Sequence, residues 1–223
     1  ILMQINQDLK NIVKSVSLAR GKYVWVLGND DLLLPHTFKV LQSLLYKENI
    51  DYFYINSINL HSKNYNLLVS PIDTNKLPSD LETFSKVKHS FKCSFFELVD
   101  PKISFDFMLG MFLSIIKKAK WDEGLKRIKN SDLSNPELYS TFDNTCPHVK
   151  IFATSLNSSQ VWFQAKPLSA NMIGEREWGN LYPFVDSIRI PEVLDLYYNN
   201  GLPFLKYLKC KNFALKRFLP NLF

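Results

Sequence analysis

The chain has 223 residues, 46% of them apolar and 22% charged, a balance that excludes a disordered tail and allows one well-buried core. Lys and Arg total 27 against 21 Asp and Glu, and the resulting net charge of +6 suits an anionic partner such as a nucleotide phosphate or an acidic lipid surface without selecting one. The longest uncharged apolar run, Phe107 to Ile116, falls short of the roughly 20 residues a membrane-spanning helix needs, no signal peptide opens the chain, and Cys93, Cys146 and Cys210 have neither zinc-knuckle nor CxxC spacing, all as expected of a cytoplasmic protein.

The sequence opens at Ile1 directly on a helical pattern, with no strand ahead of it, which reads as a fragment. Leu9, Ile12, Val13, Val16 and Ala19 recur at helical spacing until Gly21 stops them. Tyr23 to Leu27 is a continuous apolar run, predicting a central strand of a parallel sheet. Gly28-Asn29-Asp30-Asp31 ends that strand, and Pro35 opens a second helical pattern on Phe38, Leu41, Leu44 and Leu45. A strand over Tyr52 to Ile55 follows, so helices and strands alternate as in a doubly wound α/β sheet. From Asn56 to Pro78 the period disappears, predicting a long loop, and Ser79 with Glu82 forms a capping box for a helix to about Val87. Phe112 to Ile116 reads as a buried strand, with a buried helix as the alternative. Pro147 begins a helix to about Leu156, and Val161 to Ala165 is one more strand before Pro167.

The acidic turn after the first strand carries the most specific chemistry. Ligands of open α/β sheets bind beyond the carboxyl ends of their strands, where Asn29, Asp30 and Asp31 stand. Hard cations such as Mg²⁺ or Mn²⁺ take carboxylate oxygens, one or two from protein and the rest from substrate phosphate and water. The competing reading is an Asp pair that caps the next helix.

Ala19-Arg20-Gly21-Lys22-Tyr23-Val24-Trp25-Val26-Leu27-Gly28-Asn29-Asp30-Asp31-Leu32-Leu33-Leu34-Pro35 resembles the segment of family 2 glycosyltransferases in which A-x-G-x-Y-x-x-x-L leads into a D-x-D-type motif and a Pro. The resemblance is close over about Asn11 to Asp51 and scattered through Trp178; the contexts of Trp121 and His148 are most similar to an abequosyltransferase-like branch that builds surface polysaccharide, including lipopolysaccharide. It implies a GT-A fold, a Rossmann-like mixed sheet flanked by helices, here lacking the N-terminal half that grips the nucleotide base. It also implies transfer of a sugar from a nucleotide-diphosphate sugar to a saccharide or lipid-linked acceptor, with Asp31 on the Mn²⁺ or Mg²⁺ and Asp30 supporting ribose or the metal shell. Asn29 departs from the Asp usual at the motif's first position and contributes hydrogen bonds without charge. His148 resembles a His in the family's carboxyl half and is a candidate to complete the metal site or orient the acceptor, against a reading as a His with no role. Asp143 is the candidate base for the acceptor hydroxyl, with Asp122 and Glu123 as competitors and ordinary solvated carboxylates as the plain alternative. Glu175-Arg176-Glu177-Trp178-Gly179 reads as a lid or as an ion-paired loop with Trp178 packed on the core.

The GT-A-like part spans residues 1–190 and a basic, aromatic tail residues 191–223. No acid follows Asp195. Projected on a helix over 204–218, Phe204, Tyr207, Leu208, Ala214, Leu215 and Phe218 share one arc, with Lys206, Lys209, Lys216 and Arg217 opposite, the pattern of a helix lying on an anionic inner-membrane surface or packing on its own domain. The alternative to an enzyme is an inert remnant or a membrane-bound interaction module; nucleic-acid binding lacks a motif and ranks last.

Overall fold

A computed structural model describes residues 11–47, 49–61, 64, 68, 71–129, 131, 142–173 and 185–218. Helix α1 (residues 11–18) stops short of Gly21, as its periodicity predicts. The described strands, β1 (Tyr23–Trp25), β2 (Asp31–Leu33), β3 (Tyr52–His61), β4 (Phe91–Ser94), β5 (Ser114–Lys117) and β6 (Gln160–Ile173), form one sheet in the order β1-β5-β3-β6-β2, with β4 also on β6. The chain is therefore α/β, with a mixed, curled sheet flanked by helices. Two expectations are corrected here. Of the paired strands only β3 and β6 run parallel. And β1, expected in the middle, pairs with β5 alone and stands at the edge of the described sheet. Its apolar run has another cause: Val24 packs into one core while Tyr23 and Trp25 pack into a second on the opposite face. A strand covered on both faces reads as continuous apolar sequence whether or not it has two strand neighbours.

Alternation along β3 builds both cores. Tyr52 and Tyr54 face the larger one, where the Tyr52 ring meets Phe95, Phe107 and Phe152 at centroid distances of 5.6, 6.4 and 5.3 Å. Phe53 and Ile55 face the other way, onto Leu41 and Leu44 of α2 (Thr37–Leu45). The larger core is closed by α3 (Phe95–Leu98), α4 (Lys118–Leu125), α6 (Pro147–Ser155), α7 (Ile190–Asn199) and α8 (Phe204–Phe218), with α5 (Phe142–Thr145) leading into α6. Pro147 opens α6 and Gly201, at φ +112°, turns the chain from α7 into α8.

The sheet bends at a bulge between Ile55↔Gln164 and Ser57↔Ser169, where Pro167 removes a ladder donor and β6 runs on by more residues than β3. Asn56 holds the bend: its Nδ2 donates to the carbonyls of Ser85 and Ala165, both at 2.9 Å, and its Oδ1 accepts from the N–H groups of Ser57 and Ser85, both at 3.0 Å. Buried and four-fold bonded, this one side chain satisfies the backbone that the bulge unpairs.

The bend also explains three further corrections. β3 continues to His61 where a loop was expected, and β6 continues through Pro167 to Ile173. The helix expected from Ser79 to Val87 is absent: Asn59 N–H donates to Glu82 O at 2.8 Å, Phe84 N–H to Ser57 O at 3.0 Å, and Ile58 bridges Thr83. Pairing with the second half of β3 overrides the local capping signal. The capping box that forms is Ser94 with Glu97, at the head of α3.

Candidate functional site

β1 ends level with Phe53 of β3, through Ile115, and β2 begins level with Asn59, through Asn171. The intervening residues 26–30 thus cross from the half of the sheet before the bend to the half after it, carrying the acidic turn across the bend.

Asp31 is the first residue of β2. Its Oδ2 accepts the Gly28 N–H at 2.6 Å and its Oδ1 accepts the Asn171 amide at 2.7 Å, so one carboxylate closes the turn and ties it to β6. The Asp30 carbonyl accepts from the Met172 N–H at 2.8 Å, and the Asp30 carboxylate lies where a side chain at position 28 would stand: a Cβ on Gly28 would be 2.4 Å from Asp30 Oδ1. Any side chain at position 28 would have to displace the Asp30 carboxylate, so glycine leaves that carboxylate its place beside Asp31. Asn29 is exposed at the tip. The structure thus places Asn29, Asp30 and Asp31 side by side, with both acids partly buried.

Behind the turn lies a row of polar side chains that sequence reading missed. Asn171 of β6, buried, is level with Asp31 on one side and Asn59 on the other; one step back, Ser169 Oγ donates to Ser57 Oγ at 2.9 Å. Asn59 Oδ1 is buried with no hydrogen-bond partner among the described residues. The opposite face of these strands carries Leu32, Leu34, Ile58, Leu60, Ala170 and Met172. The signal was present as polar-apolar alternation in Ser57-Ile58-Asn59-Leu60-His61 and Ser169-Ala170-Asn171-Met172.

The other candidates stand elsewhere, with partners that do not overlap those of the turn. Asp143, on α5, is ion-paired with Lys150 of α6. His148 is 4% exposed inside the larger core, its ring 5.6 Å from that of Phe152, and Nε2 has no hydrogen-bond partner among the described residues. Burial pushes its pKa down to about 4, partly offset by hydrogen bonds to the backbone of Leu109 and Met108, so at neutral pH it is an uncharged core side chain. Asp122 pairs with Lys118 and Glu123 with Lys120, both along α4. Residues 175–179, read as a lid, lie outside the described residues. All three cysteines are free thiols, and burial pushes Cys93 and Cys146 up to about 12, which keeps both protonated.

Carboxylates such as those of Asp30 and Asp31 are hard-oxygen ligands that could hold Mg²⁺ or Mn²⁺ together with substrate phosphate, although both Asp31 oxygens already accept hydrogen bonds. Among the described residues no group of three or more His, Cys, Asp or Glu side chains is gathered to hold a metal by protein ligands alone. Nor, among them, is any helix long and apolar enough to cross a membrane. No protein-family model and no curated protein matches the chain.

Proposed function

We propose that the chain is a glycosyltransferase domain of GT-A type, taking a sugar from a nucleotide-diphosphate donor to a saccharide acceptor, with the donor diphosphate bound at the 28–31 turn. One observation carries this reading: two consecutive carboxylates stand together where the chain crosses the sheet's bend from β1 into the start of β2, on a turn whose sequence resembles the family 2 motif. Asp30 and Asp31 would hold a divalent cation, which supplies charge neutralisation for the departing nucleoside diphosphate. Gly28 leaves room for the carboxylates, Asn171 fixes the rotamer of Asp31, and Asn29 offers neutral hydrogen bonds at the rim. The general base is left unassigned, because Asp143 is held by Lys150 and His148 is enclosed in the core.

A specific observation favours a second reading. Both oxygens of Asp31 already accept hydrogen bonds, as in a clamp that joins turn to sheet in a catalytically inert module. Incubation with a panel of nucleotide sugars and Mn²⁺ distinguishes the two. The enzyme releases nucleoside diphosphate in a metal-dependent reaction that Asp30→Asn abolishes without loss of stability; the module releases none with any donor.

A further inference from the structure

Helix α8 is docked by its small side chains. Cys210, fully buried with its Sγ 3.3 Å from Val99 O, and Ala214 face the core, with Tyr207 half-buried beside them and Phe213 edge-on to Phe105 at 5.5 Å. Four large apolar side chains point outward: Phe204 is 54%, Leu205 79%, Leu208 45% and Leu215 51% exposed. The apolar arc expected from the sequence is thus split, with Tyr207 and Ala214 inward and Phe204, Leu208 and Leu215 outward. Tyr198 of α7 extends the outer strip, stacked on Tyr207 at 4.7 Å and 6.0 Å from Phe204. A helix that packed only to stabilise its own domain would bury its largest apolar side chains and expose its small ones.

The charges around the strip decide what covers it. α8 carries Lys206, Lys209, Lys211, Lys216 and Arg217 and no acid. Lys206 donates to Glu97 O at 3.0 Å, Lys209 pairs with Asp100 and Lys211 with Asp195, which fixes the helix to the body. Exposed Lys216 lies next to Leu205 when the helix is viewed end-on, so the outer strip is bordered by positive charge. A second copy of the chain would bring the same positive strip against itself; an anionic lipid surface complements it, the leucines entering the acyl boundary and the lysines reaching phosphates.

We infer that the outer face of α8, with Tyr198, seats the protein on an anionic bilayer, the helix lying in the plane of the interface. The inference stands independently of sugar transfer. It is tested by pelleting the full chain with vesicles of phosphatidylcholine alone and of phosphatidylcholine with about 30 mol% phosphatidylglycerol, at about 0.1 M salt. The expected result is binding to the anionic vesicles at least about tenfold tighter than to the neutral ones. The triple variant Leu205→Ser/Leu208→Ser/Leu215→Ser loses that binding while its circular dichroism and unfolding curve stay unchanged, since all three side chains are exposed. Lys216→Glu weakens anionic binding severalfold and leaves neutral binding as it was. Equal pelleting of wild type and triple variant, or no pelleting of wild type, overturns the inference. So does a dimer that the triple variant disperses in a protein that ignores vesicles, because a second copy then covers the face.

Discussion

His148 makes the stability of this fold pH-dependent in a calculable way. A protonated imidazole has no place in the core, so the folded pKa of about 4 lies below the usual 6.5. The unfolded chain binds the proton more readily, so the contribution is whole above pH 6.5 and is lost as pH falls from there toward 4. The full shift corresponds to about 3 kcal/mol, and between about pH 7.5 and pH 5 the loss is about 2 kcal/mol. Urea unfolding of wild type and His148→Leu at both pH values isolates it. Leucine fills most of the ring's space without titrating, so the variant lacks this loss even if its stability at neutral pH is lower by about 1 kcal/mol. Carboxylates elsewhere titrate equally in both proteins and cancel in the comparison. An identical fall in stability for wild type and variant would refute the assignment of a neutral, enclosed imidazole.

Other perturbations test other parts of the account. Asn56→Ala strands two carbonyls and two N–H groups at the sheet's bend and should cost about 2–4 kcal/mol by urea unfolding, with Asn56→Asp also destabilising because both donations are lost. Gly124→Ala puts a Cβ 2.8 Å from the Ile151 Cα and carbonyl oxygen, where α4 crosses α6, and should cost about 1–3 kcal/mol; a neutral result would mean the helices are not in that contact. Gly28→Ala should displace the Asp30 carboxylate, lowering metal-dependent turnover at least about tenfold with less than about 1 kcal/mol lost in urea unfolding.

The elements with strong local signals were legible in the sequence. Pro147 marked the start of α6, the tail helix spans 204–218 as its periodicity predicts, and of the strand expected over Phe112 to Ile116 the part from Ser114 forms β5 while Met111–Leu113 makes a 3-10 turn. What was not legible depends on partners far along the chain. Residues 82–84 carry helical capping chemistry yet pair with β3, and Asn56, which reads as the start of a loop, holds a bulge whose other strand lies beyond residue 160. The site divides in the same way. Consecutive acids after a strand announce an acidic turn, whereas Asn171, which orients Asp31 across β2 and β6, carries no motif. The burial of His148 was equally hidden, because a helical His reads alike whether it faces a cleft or the core beside Phe152.

Manganese binding measured by electron paramagnetic resonance addresses the acidic turn most directly. In the presence of a nucleoside diphosphate, wild-type protein should deplete the free-ion signal in proportion to its concentration, and Asp30→Asn/Asp31→Asn should leave that signal intact while unfolding cooperatively in urea. A wild-type protein that leaves the free-ion signal untouched, or a double variant that depletes it equally, would contradict a cation site at Asp30 and Asp31.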